Sequence, residues 1–543
     1  MQDFTIKAQL VNIEKKEIRP VEMEVTQGSI RSFRMIEEDT NLPFLLPGFI
    51  DSHVHIESSM LIPSEFAKLA VVHGTVATIS DPHEIGNVCG VEGVKYMINN
   101  GKTVPFKFHF GAPSCVPATK SETAGAEIGI AEVKELLQDP AIYYLSEMMN
   151  FPGVLNKDPE VMAKIKAAHA LGKPVDGHAP GLRGEAAKQY INAGISTDHE
   201  CFTLEEALEK LQHGMKILIR EGSAAKNFEA LIPLLNTYPD HIMFCSDDKH
   251  PDSLVDGHIN QLCQRAIDKG IPLFNILQAA CINPVKHYKM DVGLLNIGDP
   301  ADFILVKDLH TFDVLSTYIN GKKVAENGKS HLSTTPPTQL LNQFTDPHFS
   351  IEDLAVPFNG QEQIPVIGAL DGQLITEKLT FKPTLSGNNI ISNTEEDVLK
   401  IVVVNRYQNT PVAKAFIHRF GFKSGAIAST VAHDSHNIIA VGVDDESIYK
   451  AIQSLIQLKG GISCVNDGII KTLGLPVAGL MSADDGYQVA RQYTAIDEMA
   501  KTLGTSLSAP FMTLSFMALL VIPHLKLSDR SLFDGDQFKL ITF

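Results

Sequence analysis

The sequence predicts an α/β protein built around a parallel (β/α)8 TIM barrel. A small β-sandwich drawn from both sides of the barrel and a C-terminal α/β domain complete it. Three observations support this fold class. Eight short apolar runs follow one another between positions 45 and 248, helical stretches separate several of them, and they end in polar or charged residues. Strand-like segments flank that region on both sides. Beyond residue 346, strands are mixed with amphipathic helices.

In chain order, residues 1–46 hold three short strands, Phe4–Val11, Val21–Val25 and Ile30–Met35. The barrel is expected over 47–288. Its runs are Leu45–His55, Thr75–His83, Phe106–Ser114, Ile142–Asn150, Pro174–His178, Gly194–His199, Met215–Glu221 and His241–Asp248. A helix-like stretch, Asn275–Tyr288, follows. Gly298-Asp299-Pro300 then marks a turn before a new β-run, so 289–335 is expected to pair with 1–46. Thr334–Pro347, rich in Thr, Pro and Gln, reads as a linker. In 346–543 the strands Lys400–Asn405 and Asn437–Val443 accompany the helices Glu446–Lys459 and Gly486–Leu503. Phe511–Pro523 is the longest apolar stretch. It is too short to span a bilayer and reads as a buried helix or strand pair.

Composition narrows the function classes. At 543 residues the chain has length for two or three domains, each with its own core. Forty-six basic against 64 acidic residues give −18, with no basic run, which argues against nucleic acid or an anionic membrane as partner. Seven dispersed cysteines without a C-x-x-C pair suit reduced thiols. Met1–Lys16 has no secretory h-region, so a cytoplasmic protein is expected. Lys459-Gly460-Gly461 reads as a turn, and no phosphate-binding Gly-rich loop stands out. The apolar last domain suggests a homo-oligomer, most simply a homodimer.

The polar run ends carry the chemistry. His53 and His55 close the first run two residues apart, so on a strand their imidazoles share a face. Glu147 ends the fourth run, His178 the fifth, His199 the sixth and Asp247 the eighth. Four imidazoles and two carboxylates suffice for two adjacent divalent ions with one carboxylate between them. By strand alternation Asp248 is expected to point away from Asp247, and Asp247 is the preferred ligand because it follows Phe244-Cys245-Ser246 directly.

These residues, with Pro47–His55, Ser146–Asn150, Gly177-His178, Asp198-His199 and Ser246–Asp248, resemble the amidohydrolase superfamily. His53–Met60, Asp81–Ile85, Arg220–Ala224 and Ala432–Asn437 are similar, more narrowly, to its bacterial-type adenine deaminase family. In many amidohydrolases, such as hydantoinases and dihydroorotases, a carboxylated lysine bridges the ions; here Glu147 holds that place. The resemblance implies hydrolysis of adenine to hypoxanthine and ammonia in purine salvage. Adenine and water would be the small-molecule substrates, and the binuclear centre would hold Mn²⁺ or Fe²⁺, with Zn²⁺ also compatible with the donors. In that scheme His53, His55 and Asp247 hold one ion, His178 and His199 the other, Glu147 bridges, and Asp247 moves the proton. Glu57, His83, Glu84, Glu221 and Ser223 are expected at the substrate, and His433, Asp434 and His436 in a loop that closes over it. Metal ligands are shared among amidohydrolases, so the alternatives are guanine, cytosine, an aminopurine nucleoside or a cyclic amide. A metal-free scaffold would be expected to lack some of the six ligands, and none is missing.

Overall fold

Strands buried on both faces read as continuous apolar runs, and the barrel strands have this character. In the computed structural model, which describes residues 3–335 and 340–541, they are β1 (Phe49–Val54), β2 (Thr75–Ser80), β3 (Lys107–Ala112) and β4 (Ile142–Met148). β5 (Val175–Gly177), β6 (Thr197–Asp198), β7 (Lys216–Arg220) and β8 (Ile242–Cys245) follow. β1 to β5 run side by side and in parallel, as do β6 to β8. Backbone bonds join the two groups. The Ser196 amide donates to the Val175 carbonyl at 2.9 Å, and the Asp247 amide donates to the His53 carbonyl, also at 2.9 Å. The ring is therefore closed, with β8 against β1.

The predicted run Leu45–His55 is two strands. Phe44–Pro47 lies in the flanking sheet, antiparallel to Phe303–Val306, and β1 begins after Gly48. A Cβ at Gly48 would stand 2.3 Å from a Val76 methyl, so only glycine lets the chain cross there. The second run is also shorter than expected. β2 stops at Ser80, and His83 opens the helix His83–Gly101.

Strands from both sides of the barrel form one eight-stranded sheet. The sheet turns back on itself. The rings of Phe4 and Tyr318, on strands separated by two others, approach to 5.6 Å, and the Ile30 amide donates to the Asp299 carbonyl at 3.0 Å. The small sandwich is thus a single folded sheet.

The C-terminal part is a second eight-stranded sheet, mostly antiparallel, that includes Val398–Val404, Ala426–Ser429 and Ile438–Gly442. Helix Asp445–Leu458 buries Ile448, Ala451, Ile452 and Leu455, a one-face helical spacing, with Val402, Ala428 and Ala440 of the sheet. Residues 336–339 of the predicted linker lie outside the described residues. Its later part is fixed: the Ala478 amide donates to the Leu341 carbonyl at 2.7 Å and the Thr345 amide to the Arg406 carbonyl at 2.8 Å. Phe511–Pro523 supplies the helix Pro510–Phe516 and turns after it. Phe511, Leu514 and Phe516 are buried within the chain, so an oligomer draws no support from their apolarity. Among the described residues, no helix is long and apolar enough to cross a membrane.

The loop after β3 is clamped to the C-terminal part. The Thr123 amide donates to Asp529 at 2.9 Å, and Arg530 donates to the Lys120 carbonyl at 2.9 Å. Glu122 is buried at this seam and accepts from the Thr119 amide and hydroxyl at 3.0 Å each. Burial, reinforced by the nearby Asp434 carboxylate, pushes its pKa up from 4.5 to about 8. A raised folded-state pKa contributes stability that is complete below the unfolded value and is lost as pH climbs through the folded one. Denaturant midpoints should therefore fall with rising pH between about 4.5 and 8 less steeply in Glu122→Gln than in the parent; parallel curves would contradict this.

Candidate metal centre and active site

The site grows from the carboxyl ends of β1, β4, β5, β6 and β8. Asp51, fully buried in β1, sets the first two ligands by tying β1 to β8. Its carboxylate accepts from the Ser246 amide at 3.0 Å and hydroxyl, and lies 2.7 Å from Nε2 of His258. His55 Nδ1 lies 3.2 Å from the Asp81 carbonyl, which turns Nε2 inward. The Nε2 atoms of His53 and His55 then stand 3.2 Å apart. Glu147 enters from β4. One of its oxygens lies 2.6 Å from His178 Nδ1 and 3.2 Å from His199 Nε2; the other lies 3.3 Å from His55 Nε2 and 3.9 Å from His53 Nε2. His178 is held by its amide, which donates to the Tyr190 hydroxyl at 3.0 Å, and that hydroxyl donates to the Met148 carbonyl at 2.7 Å. Asp247 Oδ1 lies 3.3 Å from His55 Nε2. The structure brings all six predicted residues together, each at most 4% exposed.

Asp248 does not point away from Asp247, contrary to strand alternation. β8 ends at Cys245, and Asp247 has φ +55°, in the left-handed region. The turn brings both carboxylates to the cavity, where Asp248 accepts from the Ser58 hydroxyl at 2.6 Å and lies 3.1 Å from His433 Nε2.

Two further groups, to which the sequence pattern assigns no role, stand at the site. Glu200 follows His199 and lies 3.4 Å from its Nε2 and 3.6 Å from His178 Nδ1. Arg220, the last residue of β7, bonds both Glu200 and Asp247 through Nη1. Each sits immediately beside a residue singled out from the sequence, and β6 and β7 end one residue too early for alternation to sort such pairs. Glu221 turns outward, 2.7 Å from Arg265, because β7 ends before it. Ser223 accepts from the His250 amide at 2.8 Å and so braces the turn after Asp248. Neither lines the cavity.

The remaining predicted residues meet at the mouth. His83 Nδ1 lies 3.2 Å from Asp81, and Nε2 lies 3.4 Å from Glu84 and 3.7 Å from Asp434. Glu84 also contacts His436, and stands 3.1 Å from His433 Nε2, so the 430–437 loop closes over the barrel of its own chain. Glu57 sits behind this layer. It accepts from the Ile85 amide at 3.2 Å and does not line the cavity, and burial pushes its pKa up to about 7. The cavity between these side chains is narrow, about 20 Å³.

The buried carboxylates are held ionised, and they in turn raise His55, His178 and His199 against the effect of burial. Burial opposes ionisation of Glu147, yet His178 and His199 hold its carboxyl well below the usual range. Asp247, equally buried, is held low by Arg220 and His55. Burial and the stacked His199 ring, 4.0 Å away, push His53 down to about 4, leaving a neutral imidazole with a lone pair. His53 Nδ1 and His178 Nε2 are buried without a hydrogen-bond partner. Three sets of donors, His53–His55–Asp247, His53–Glu147–His199 and His178–His199–Glu200, each fall within the reach of one ion. Imidazole and carboxylate together suit a divalent transition metal.

Residues 44–324 match the amidohydrolase family, and residues 373–539 match the adenine deaminase C-terminal domain. Along its whole length the chain is 55% identical to an adenine deaminase of Sulfurovum sp. (strain NBC37-1), over 537 residues that cover 99% of each protein. The chain belongs to the adenine deaminase family. Other adenine deaminases give the same result: that of Salinibacter ruber is 52% identical across 99% of this chain and 98% of its own, and that of Methanosarcina mazei 51% across 96% of each. Membership of the amidohydrolase family implies a divalent metal centre, and the donor set described above fits one.

Removing the central carboxylate tests that fit. Glu147→Ala should retain transition metal more weakly than the roughly 10–100-fold loss seen when an outer partner of a ligand is removed. Metal content after dialysis measures this, and parent-like retention would remove Glu147 from the centre.

Proposed function

We propose that this chain hydrolyses the exocyclic C–N bond of adenine, converting adenine and water to hypoxanthine and ammonia in cytoplasmic purine salvage. The centre is assigned two divalent ions, manganese or iron, with zinc also compatible. One geometric fact supports the pair above all: Glu147 turns one oxygen towards His53 and His55 and the other towards His178 and His199. His53, His55 and Asp247 would hold one ion, and His178 and His199, with Glu200 alongside, the other. When bound, such ions supply water made nucleophilic near neutral pH.

The chain's own residues do the rest. Asp247, kept ionised by Arg220, accepts a proton from the attacking water and passes it to the departing amino nitrogen. His83 is the proposed donor to ring N1, and the hydroxyl proton shed as the C6 carbonyl forms replaces the one it gives. Burial opposes its charge, but Asp81 and Glu84 raise its pKa well above the ordinary value, so it carries a proton to give. Glu84, held ionised against burial by His433, His436 and His83, accepts from a ring N–H or the amino group. The buried mouth keeps bulk water from competing for these bonds.

Asp247→Asn should lower kcat by about 10²–10⁴-fold with little change in KM; near-normal turnover would take Asp247 out of the proton path. Ammonia release from adenine, guanine, cytosine and adenosine, using protein stripped of metal and reloaded with manganese, iron or zinc, tests substrate and metal together. Adenine turnover restored by manganese or iron is expected. Preference for another base, or silence on all four, would overturn the assignment.

A further inference from the structure

The cavity is almost entirely polar. Among its lining residues only Met149, Leu374 and Leu519 are apolar, and two of these three come from the C-terminal part. A heterocycle offers a polar edge and an apolar face, and the face needs apolar contact to gain from leaving water. On the barrel side only Met149 is apolar among charged groups, and on the C-terminal side the two leucines stand beside His433 and Asp434, so the face has its contact on the leucines.

Leu374 and Leu519 are far apart in sequence and meet through one side chain. Lys526, in strand Leu525–Leu527, is fully buried and forms no ion pair among the described residues. Its ammonium donates to the Leu374 carbonyl at 2.6 Å and to the Phe516 carbonyl at 2.9 Å. The Phe516 carbonyl also accepts from the Leu519 amide at 3.2 Å, so one oxygen fixes both the lysine and the turn that presents Leu519. Phe516 ends the helix Pro510–Phe516, whose last carbonyls favour a cation. Thr376 secures the other side, its hydroxyl donating to the Leu525 carbonyl at 2.9 Å. Burial alone pushes the Lys526 amine down to about 7, and a lysine in so unfavourable a place is explained by the two carbonyls it joins.

We propose that Leu374 and Leu519 form the seat for the flat face of the substrate ring, and that Lys526 is the positioning residue that holds the two leucines together. The seat rests on the deaminase reading for the identity of the ring. It makes the C-terminal part a determinant of substrate affinity, while the proton-moving groups named above reside on the barrel.

The test is steady-state kinetics on adenine together with binding of the unreactive product hypoxanthine, for the metal-loaded parent, Leu374→Ala, Leu519→Ala, Lys526→Met and the pair Lys526→Met/Leu519→Ala. Each single variant should raise KM and the hypoxanthine Kd about tenfold, with kcat within about threefold of the parent. The pair should fall short of the product of its singles, because both changes dismantle one surface. The leucine variants keep Lys526 in place and decide the matter even if Lys526→Met does not fold. Unchanged KM and Kd in both leucine variants, or a loss confined to kcat, would overturn the seat; strictly multiplicative effects would overturn the role of Lys526. A parent that binds hypoxanthine but releases no ammonia from adenine would sink the deaminase reading instead, with the seat still judged on Kd. A parent that does neither would overturn both.

Discussion

A single carboxylate set among the imidazoles of four candidate ligands, with His83 a fifth at 3.6 Å, organises this molecule. Glu147 is buried, ionised and within 3.9 Å of ring nitrogens from His53, His55, His178 and His199. None of those side chains reaches the others without the barrel: they leave strands β1, β4, β5 and β6, and only closure of the ring turns all of them inward. So dense a set of donors is unfavourable in an apolar interior unless positive charge compensates it. Arg220 supplies part of that charge between Glu200 and Asp247, and a divalent centre accounts for the donors left facing one another.

Much of this was legible in the sequence because β-strand physics has a short period. Eight apolar runs gave eight barrel strands, and the polar residue closing a run lay near the mouth in each of the six predicted ligands. The pattern failed where strands stop. β6 and β7 end at Asp198 and Arg220, and beyond those points the two-residue alternation no longer says which neighbour faces inward. Hence residue pattern alone assigns no role to Glu200 or Arg220, puts Glu221 at the substrate, and turns Asp248 away from a cavity it lines. Backbone turns decide such cases, and the φ of Asp247 is not written in residue type.

The roof was the least legible part. Leu374, Leu519 and Lys526 are ordinary residues in ordinary β-rich surroundings, and nothing in their spacing marks them. Their role depends on contacts between segments about 150 residues apart. The 430–437 loop was visible as an unusual cluster, yet which barrel it covers was not; the bonds from His433 and His436 to Glu84 place it over its own.

That self-covering has a consequence for how the molecule matures. The bowl is made by residues up to Asp248 and the cover by residues from 374 onward, so ligands and lid leave the ribosome in that order. Once the cover is seated, every ligand is nearly sealed from solvent. Any ion held by these donors would reach them most easily while the nascent bowl is still uncovered.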